Sequence, residues 1–187
     1  LKYKQYKRLF VFIFNYFYQQ FHLTMIAEDK KKIWTLLEQV FDPEIPVLTV
    51  IDMGVVRAVR QEAGQWHIDI TPTYSGCPAM DMIAVEIKAV LQEHGYNEVQ
   101  VNTILSPAWT TEWMSENGKR KLKAYGIAPP EGKVIDKSVL FGEPKKIECP
   151  RCGSRETNLL SQFGSTACKA LYQCSSCKEP FDYFKCH

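Results

Sequence analysis

An α+β fold carrying a metal-built C-terminal ribbon is predicted by three features of the 187-residue sequence. Apolar residues recur at helical and then strand spacing in the order α-β-β-α-β-α between residues 29 and 126. A stretch rich in proline and glycine then follows. Six of the seven cysteines fall in the last 39 residues, four of them as the pairs Cys149/Cys152 and Cys174/Cys177. The economical arrangement is a small three-stranded sheet with helices on one face, followed by a ribbon held by metal.

The amino-terminal segment reads separately. Lys2, Lys4, Lys7 and Arg8 precede the apolar run Leu9–Phe14, as in the start of an export signal. No small-x-small cleavage site follows, and the run is far shorter than the ~20 residues that span a bilayer. Residues 1–24 are therefore expected to be a non-native upstream extension with Met25 as initiator. Removing them changes the formal charge from +2 to −2, so the basic balance belongs to that segment alone. A cytoplasmic protein with neither a membrane nor a nucleic-acid partner is expected from the modest mixed charge of the remainder.

The elements follow in order. Ile33, Leu36, Leu37, Val40 and Phe41 predict a helix over 29–41, stopped by Asp42-Pro43. Residues 55–60 and 66–71 alternate around the Glu62–Gln65 turn and predict a hairpin. Met80, Ile83, Ala84, Ile87 and Leu91 share one face of a helix over 78–93, with Gly95 beyond its end. A third strand is predicted over 98–104 and a third helix over 112–125, closed by Gly126. Residues 25–128 form the first domain, 129–146 a linker opened by Pro129-Pro130 and closed near Pro144, and 147–187 the ribbon.

The ribbon needs its metal. A tail of about 40 residues buries too little apolar surface to fold alone. Two Cys-x-x-Cys knuckles separated by 21 residues match tetrahedral thiolate ligation of structural zinc by Cys149, Cys152, Cys174 and Cys177. Iron at the same sulfurs, or disulfides in an oxidising compartment, are the alternatives. Cys168 and Cys186 remain as spare thiols, each a candidate substitute ligand, redox group or small buried apolar residue.

Cys77 stands apart, in Thr73-Tyr-Ser-Gly-Cys-Pro78. It precedes a proline at a predicted helix start, where free N–H groups and the helix dipole favour thiolate. Asp81 in the first turn opposes that shift. A buried cysteine capping a turn is the plain alternative.

Asp42-Pro-Glu-Ile-Pro-Val-Leu48, Ile51-Asp-Met-Gly-Val-Val56 and Thr71-Pro-Thr-Tyr-Ser-Gly-Cys-Pro78 resemble the SufT-like Fe-S assembly factors, over about residues 29–128. From Met25 onward the whole chain resembles the PaaD family of phenylacetate degradation. Pro107–Met114, Phe163–Tyr172 and Glu179–Cys186, beside the two knuckles, carry that resemblance. It implies a bacterial accessory protein of the multicomponent phenylacetyl-CoA epoxidase in aromatic-compound catabolism. Its partners would be the epoxidase components, especially the Fe-S flavoprotein reductase. Cys77 would be the functional thiol through which iron or an Fe-S cluster passes transiently, with Asp42 and Glu44 as acidic neighbours. A helix stop and a solvated turn are the alternative reading of the two acids.

Catalysis of the oxidation by this chain is not expected. No Glu-x-x-His occurs to build a carboxylate-bridged diiron centre, the four histidines are scattered, and no Gly-x-Gly-x-x-Gly is present for a nicotinamide or flavin. A maturation factor is the favoured class. A stoichiometric structural or electron-transfer subunit is the alternative, and a nucleic-acid-binding ribbon is disfavoured because Glu148, Glu179 and Asp182 interrupt any basic stripe.

Overall fold

The computed structural model describes residues 2–131 and 145–185. Helix α1 (Lys2–Leu37) is followed by strands β1 (Val56–Glu62) and β2 (Gln65–Ile70), helix α2 (Ala79–Glu93) and strand β3 (Val99–Thr103). A 3-10 turn (Thr111–Trp113) and helix α3 (Glu116–Tyr125) close the first unit. Strands β4 (Thr157–Ser161), β5 (Lys169–Cys174) and β6 (Pro180–Phe184) make the second. The predicted α+β class and ribbon are both present.

Helix α1 differs from expectation at both ends. It extends back to Lys2 because neither glycine nor proline occurs between there and Leu37. It also stops four residues before Phe41. The N–H groups of Glu38, Gln39 and Val40 donate three residues back, to Thr35, Leu36 and Leu37, and tighten the last turn. Val40 to Asp42 then pair with Leu48 to Val50, through Val50 N–H to Val40 O (2.9 Å) and Asp42 N–H to Leu48 O (2.9 Å). Phe41, expected on the buried helix face, is 42% exposed as a result. Among the described residues no helix is long and apolar enough to cross a membrane.

Strands β1 and β2 pair antiparallel, and β3 joins β2 in parallel after the crossover through α2. Val59, Trp66, Ile68 and Ile70 turn toward the core, where Ile33 and Leu37 of α1 and Ile83, Ile87 and Leu91 of α2 meet them. The opposite sheet face is polar: Asp69 accepts from Arg60 Nε (2.8 Å) and from Asn102 Nδ2 (2.9 Å). Period-2 alternation thus places the helices on one face, as expected.

The predicted third helix is split. Ser115 is extended and accepts the Gly118 N–H (2.9 Å), so α3 begins only at Glu116, and the preceding turn is 3-10. Gly126 ends α3 in the left-handed region, φ 96°.

The ribbon pairs β4-β5-β6 antiparallel around a small apolar cluster that includes Ile147, Ala170, Tyr172 and Phe181. It does not hang free. Ala128 N–H donates to Asp182 O (2.8 Å) and Phe184 N–H to Ala128 O (2.9 Å), so the chain leaving α3 runs along β6. Phe184 and Cys168 belong to the first domain's core, and the Phe184 ring meets Trp109 edge-on at 6.0 Å. Most of the expected 129–146 linker, residues 132–144, lies outside the described residues, as does Cys186.

Candidate functional site

The Cys77 loop is set by its flanks. Strand β2 ends at Ile70, Gly76 takes a positive φ of 83°, and Pro78 precedes the first residue of α2. Cys77 is half-buried, with the Ala79 N–H and the Tyr74 hydroxyl hydrogen-bonded to its sulfur. Both contacts favour thiolate, as the helix start predicts. Burial opposes them and is the larger effect; Glu44 and Asp42 add their negative fields, so the thiol lies above its ordinary value. The pull of the helix start toward thiolate, which the sequence already sets against Asp81, is thus outweighed by burial. The two acids that sequence resemblance placed beside it act in the same direction as burial.

Asp42 is buried, and its Oδ1 accepts from the N–H groups of Glu44 (2.8 Å) and Ile45 (2.6 Å), stapling the turn. Burial holds its carboxyl above the usual range against those hydrogen bonds. Glu44 is released from that duty. Its Oε2 accepts from the thiol of Cys168, 3.7 Å away on the ribbon. Burial first, then Glu44 and Asp42, push Cys168 up to about 11 against the hydrogen bond from Thr166. Tyr74, raised to about 12 by burial and by Cys77, lies within the fields of Glu44 and Cys168 as well. Cys77, Asp42, Glu44, Tyr74 and Cys168 therefore share one neighbourhood. Tyr74 was visible in the sequence motif but carried no periodicity or spacing that would mark it as the hydrogen-bond partner of Cys77.

The second cluster is tighter. The ligand atoms of Cys149, Cys152, Cys174 and Cys177 all lie within 4.8 Å of one another. Cys149 Sγ stands 3.8 Å from Cys177 Sγ, and Cys152 Sγ 3.5 Å from Cys174 Sγ. A tetrahedron with metal–sulfur bonds near 2.3 Å has edges of about 3.8 Å, so the sulfurs already match a zinc-sized tetrahedral ion. Each knuckle turns through a residue of positive φ, Gly153 (76°) in one and Lys178 (67°) in the other. Those turns aim backbone N–H groups at sulfur. The N–H groups of Cys177 and Ser176 pull Cys174 down to about 6. The N–H of Glu179 favours Cys177 thiolate too, but burial and the three neighbouring sulfurs raise it to about 12. A cation among the four would relieve that crowding.

Sequence reasoning also passed over Asp52, which it read only as part of Ile51–Val56. The buried Asp52 carboxylate accepts from Ser115 Oγ (3.0 Å), Asn117 Nδ2 (2.9 Å) and Lys121 Nζ (2.5 Å). It ties the loop after the Asp42 turn to the start of α3. Only a shared motif with its partners 63 to 69 residues downstream would have revealed it.

Comparison with known proteins follows the same division. Residues 30–103 match the model of an iron-sulfur cluster assembly protein, and residues 134–185 that of the PaaD zinc beta ribbon domain. The chain is 52% identical over 163 residues to a putative 1,2-phenylacetyl-CoA epoxidase subunit of Escherichia coli K12, covering 87% of this chain and 96% of that protein. It is 36% identical to the Fe-S protein maturation auxiliary factor YitW of Bacillus subtilis, over 48% of this chain and 89% of that one. A crystal structure of Domain of Unknown Function DUF59 from Bacillus anthracis superposes with a TM-score of 0.50 at 30% identity, covering 54% of this chain and 96% of that chain.

Proposed function

Because the chain belongs to the PaaD family of phenylacetyl-CoA epoxidase subunits, we propose that it is an accessory maturation protein of that multicomponent oxygenase. It assists assembly of an Fe-S or diiron centre and leaves the oxidation to other components. The observation that carries this reading is the Cys77 neighbourhood. A thiol at a helix start, with Asp42 and Glu44 beside it, sits in a domain similar to Fe-S protein maturation auxiliary factors. The thiol is protonated at rest and becomes a ligand when iron displaces its proton, a poise suited to passing metal on rather than keeping it.

Residues 25–128 are the assembly domain in this reading and 147–187 the ribbon, with zinc at Cys149, Cys152, Cys174 and Cys177. Zinc is favoured because residues 134–185 match the PaaD zinc beta ribbon domain and four thiolates at tetrahedral spacing suit it, and its task there is to hold the ribbon folded. The client is the Fe-S flavoprotein reductase and the setting the cytoplasm.

The test is a Cys77→Ala strain. Phenylacetyl-CoA epoxidation should fall, and the reductase isolated from it should lack iron and acid-labile sulfide. Separately purified, fully metallated epoxidase and reductase should then work without this protein. The E. coli relative's name as a subunit favours a second reading, a stoichiometric structural or electron-transfer role. A requirement for equimolar protein by the fully metallated components would establish that one instead.

A further inference from the structure

Helix α2 buries one face and leaves an apolar stripe on the other. Ala79, Met80, Ile83, Ile87 and Leu91 are buried in the first domain's core. On the opposite side Pro78, Met82, Val85 and Ala89 follow at steps of four, three and four residues, and all four are exposed, Met82 by 63% and Val85 by 67%. Pro78 joins the stripe because its φ of −68° and ψ of −22° are already helical. Alternating steps of four and three are the seam pattern of paired helices.

The charges beside the stripe say what pairs with it. Asp81 and Lys88 stand on one flank, Glu86 and Glu93 on the other. Neither Asp81 nor Lys88 has an opposite charge three or four residues away on α2, and among the described residues neither enters an ion pair. We propose that α2 is a homodimer interface, its stripe packing antiparallel against the same stripe of a second copy about a two-fold axis near residues 83 and 84. Such an axis sets like flank against like flank, so Asp81 of each copy meets Lys88 of the other and both pairs are attractive. Across the seam Met82 meets Val85 and Pro78 meets Ala89. Parallel pairing would instead set Asp81 against Glu86 of the second copy, so the surface recognises itself in one direction. The seam spans about three helical turns, which puts its area at the low end for specific interfaces and makes the dimer a transient one, formed at micromolar concentrations.

This inference goes beyond the maturation reading and does not rest on it. Cys77 directly precedes the stripe. In the dimer the last turn of the second copy's α2 lies beside each Cys77 loop, and the two thiols stand at opposite ends of the seam, about 20 Å apart along the helix axis, too far for a disulfide.

The test is sedimentation velocity of the full chain with its ribbon metallated. Wild type should pass from monomer to dimer as concentration rises. Met82→Glu, at an exposed position, should stay monomeric with unchanged circular dichroism and metal content. Asp81→Lys and Lys88→Asp should each weaken self-association roughly tenfold, because each sets like charges across the seam twice. An equimolar mixture of those two variants should associate again, since the basic flank of one then faces the acidic flank of the other. Wild type that stays monomeric at its highest soluble concentration overturns the inference, as does a dimer that Met82→Glu leaves intact or a mixture that fails to associate. Tighter association of Asp81→Lys overturns it as well, that being the sign of parallel pairing. A monomeric wild type that binds purified reductase, with binding lost in Met82→Glu, overturns it and assigns the stripe to a client protein.

Discussion

Cys77 shows how a local rule is outweighed by its surroundings. The helix start and the Ala79 N–H favour thiolate, but burial and the fields of Glu44 and Asp42 raise the thiol. Alkylation of Cys77 in protein with its ribbon metallated should therefore be slower than that of free cysteine at about pH 7.5, as read by mass spectrometry of the modified peptide. A faster rate would show that the helix start outweighs burial at this thiol. Cys168 titrates higher still. Its raised value means its contribution to stability is complete below the ordinary 9.0 and lost as pH rises toward about 11. Denaturation midpoints of wild type should fall over that interval by more than those of Cys168→Ala.

At the scale of elements, the loop 49–54 is joined to helix α3 by one carboxylate and packs against the preceding 3-10 turn through one glycine. Asp52 is held below the usual carboxylate range: burial works against it, and the hydrogen bonds from Lys121, Asn117 and Ser115 outweigh burial. A depressed value stabilises the fold above the ordinary 3.8 and the benefit is lost as pH falls below it. Asp52→Ala should cost about 2 to 4 kcal/mol at neutral pH, measured by urea unfolding, and much less in acid. Gly54 has φ 67°, and a Cβ there would lie 2.1 Å from the Trp113 carbonyl oxygen. Gly54→Ala should destabilise by about 3 kcal/mol or more, because backbone cannot yield as a side chain can. Gly64→Ala, in the open β1–β2 turn with nothing within 4 Å, should cost only about 1 kcal/mol.

Over the whole molecule, the ribbon and the first domain share a core. Phe184 against Trp109, Cys168 against Glu44 and Ala128 along β6 mean that the loss of one module exposes apolar surface of the other. Cys174→Ser or chelation should release the metal and unfold the ribbon. The first domain should then melt lower, by roughly 4 to 8 °C for each kcal/mol of lost packing. Hydrogen exchange should rise around Trp109 and Ile127 as well as in β4 to β6. Unchanged exchange in the first domain would show that the modules are energetically independent. Phe184→Ala, which leaves all four knuckle sulfurs in place, should reproduce the first-domain effect while metal content stays normal.

Sequence by itself determined whatever depends on short-range pattern. The buried face of α2 follows from 3.6-residue spacing, the β1–β2 hairpin from alternation around Ala63-Gly64, and the convergence of four sulfurs from two knuckles whose geometry is set within a single turn of chain. Motif resemblance placed Asp42 and Glu44 beside Cys77. Tertiary structure decided the rest. Helix α1 stops at Leu37 because Val40 to Asp42 find strand partners at Leu48 to Val50, α3 starts late because Ser115 caps it, and Asp52 becomes a hub through residues more than 60 positions away. Cys168 faces Glu44 because the ribbon buries Phe184 in a domain that ended 56 residues earlier in the sequence. Burial and electrostatic coupling depend on distance in space, and side chains brought together by packing leave no period or spacing along the chain.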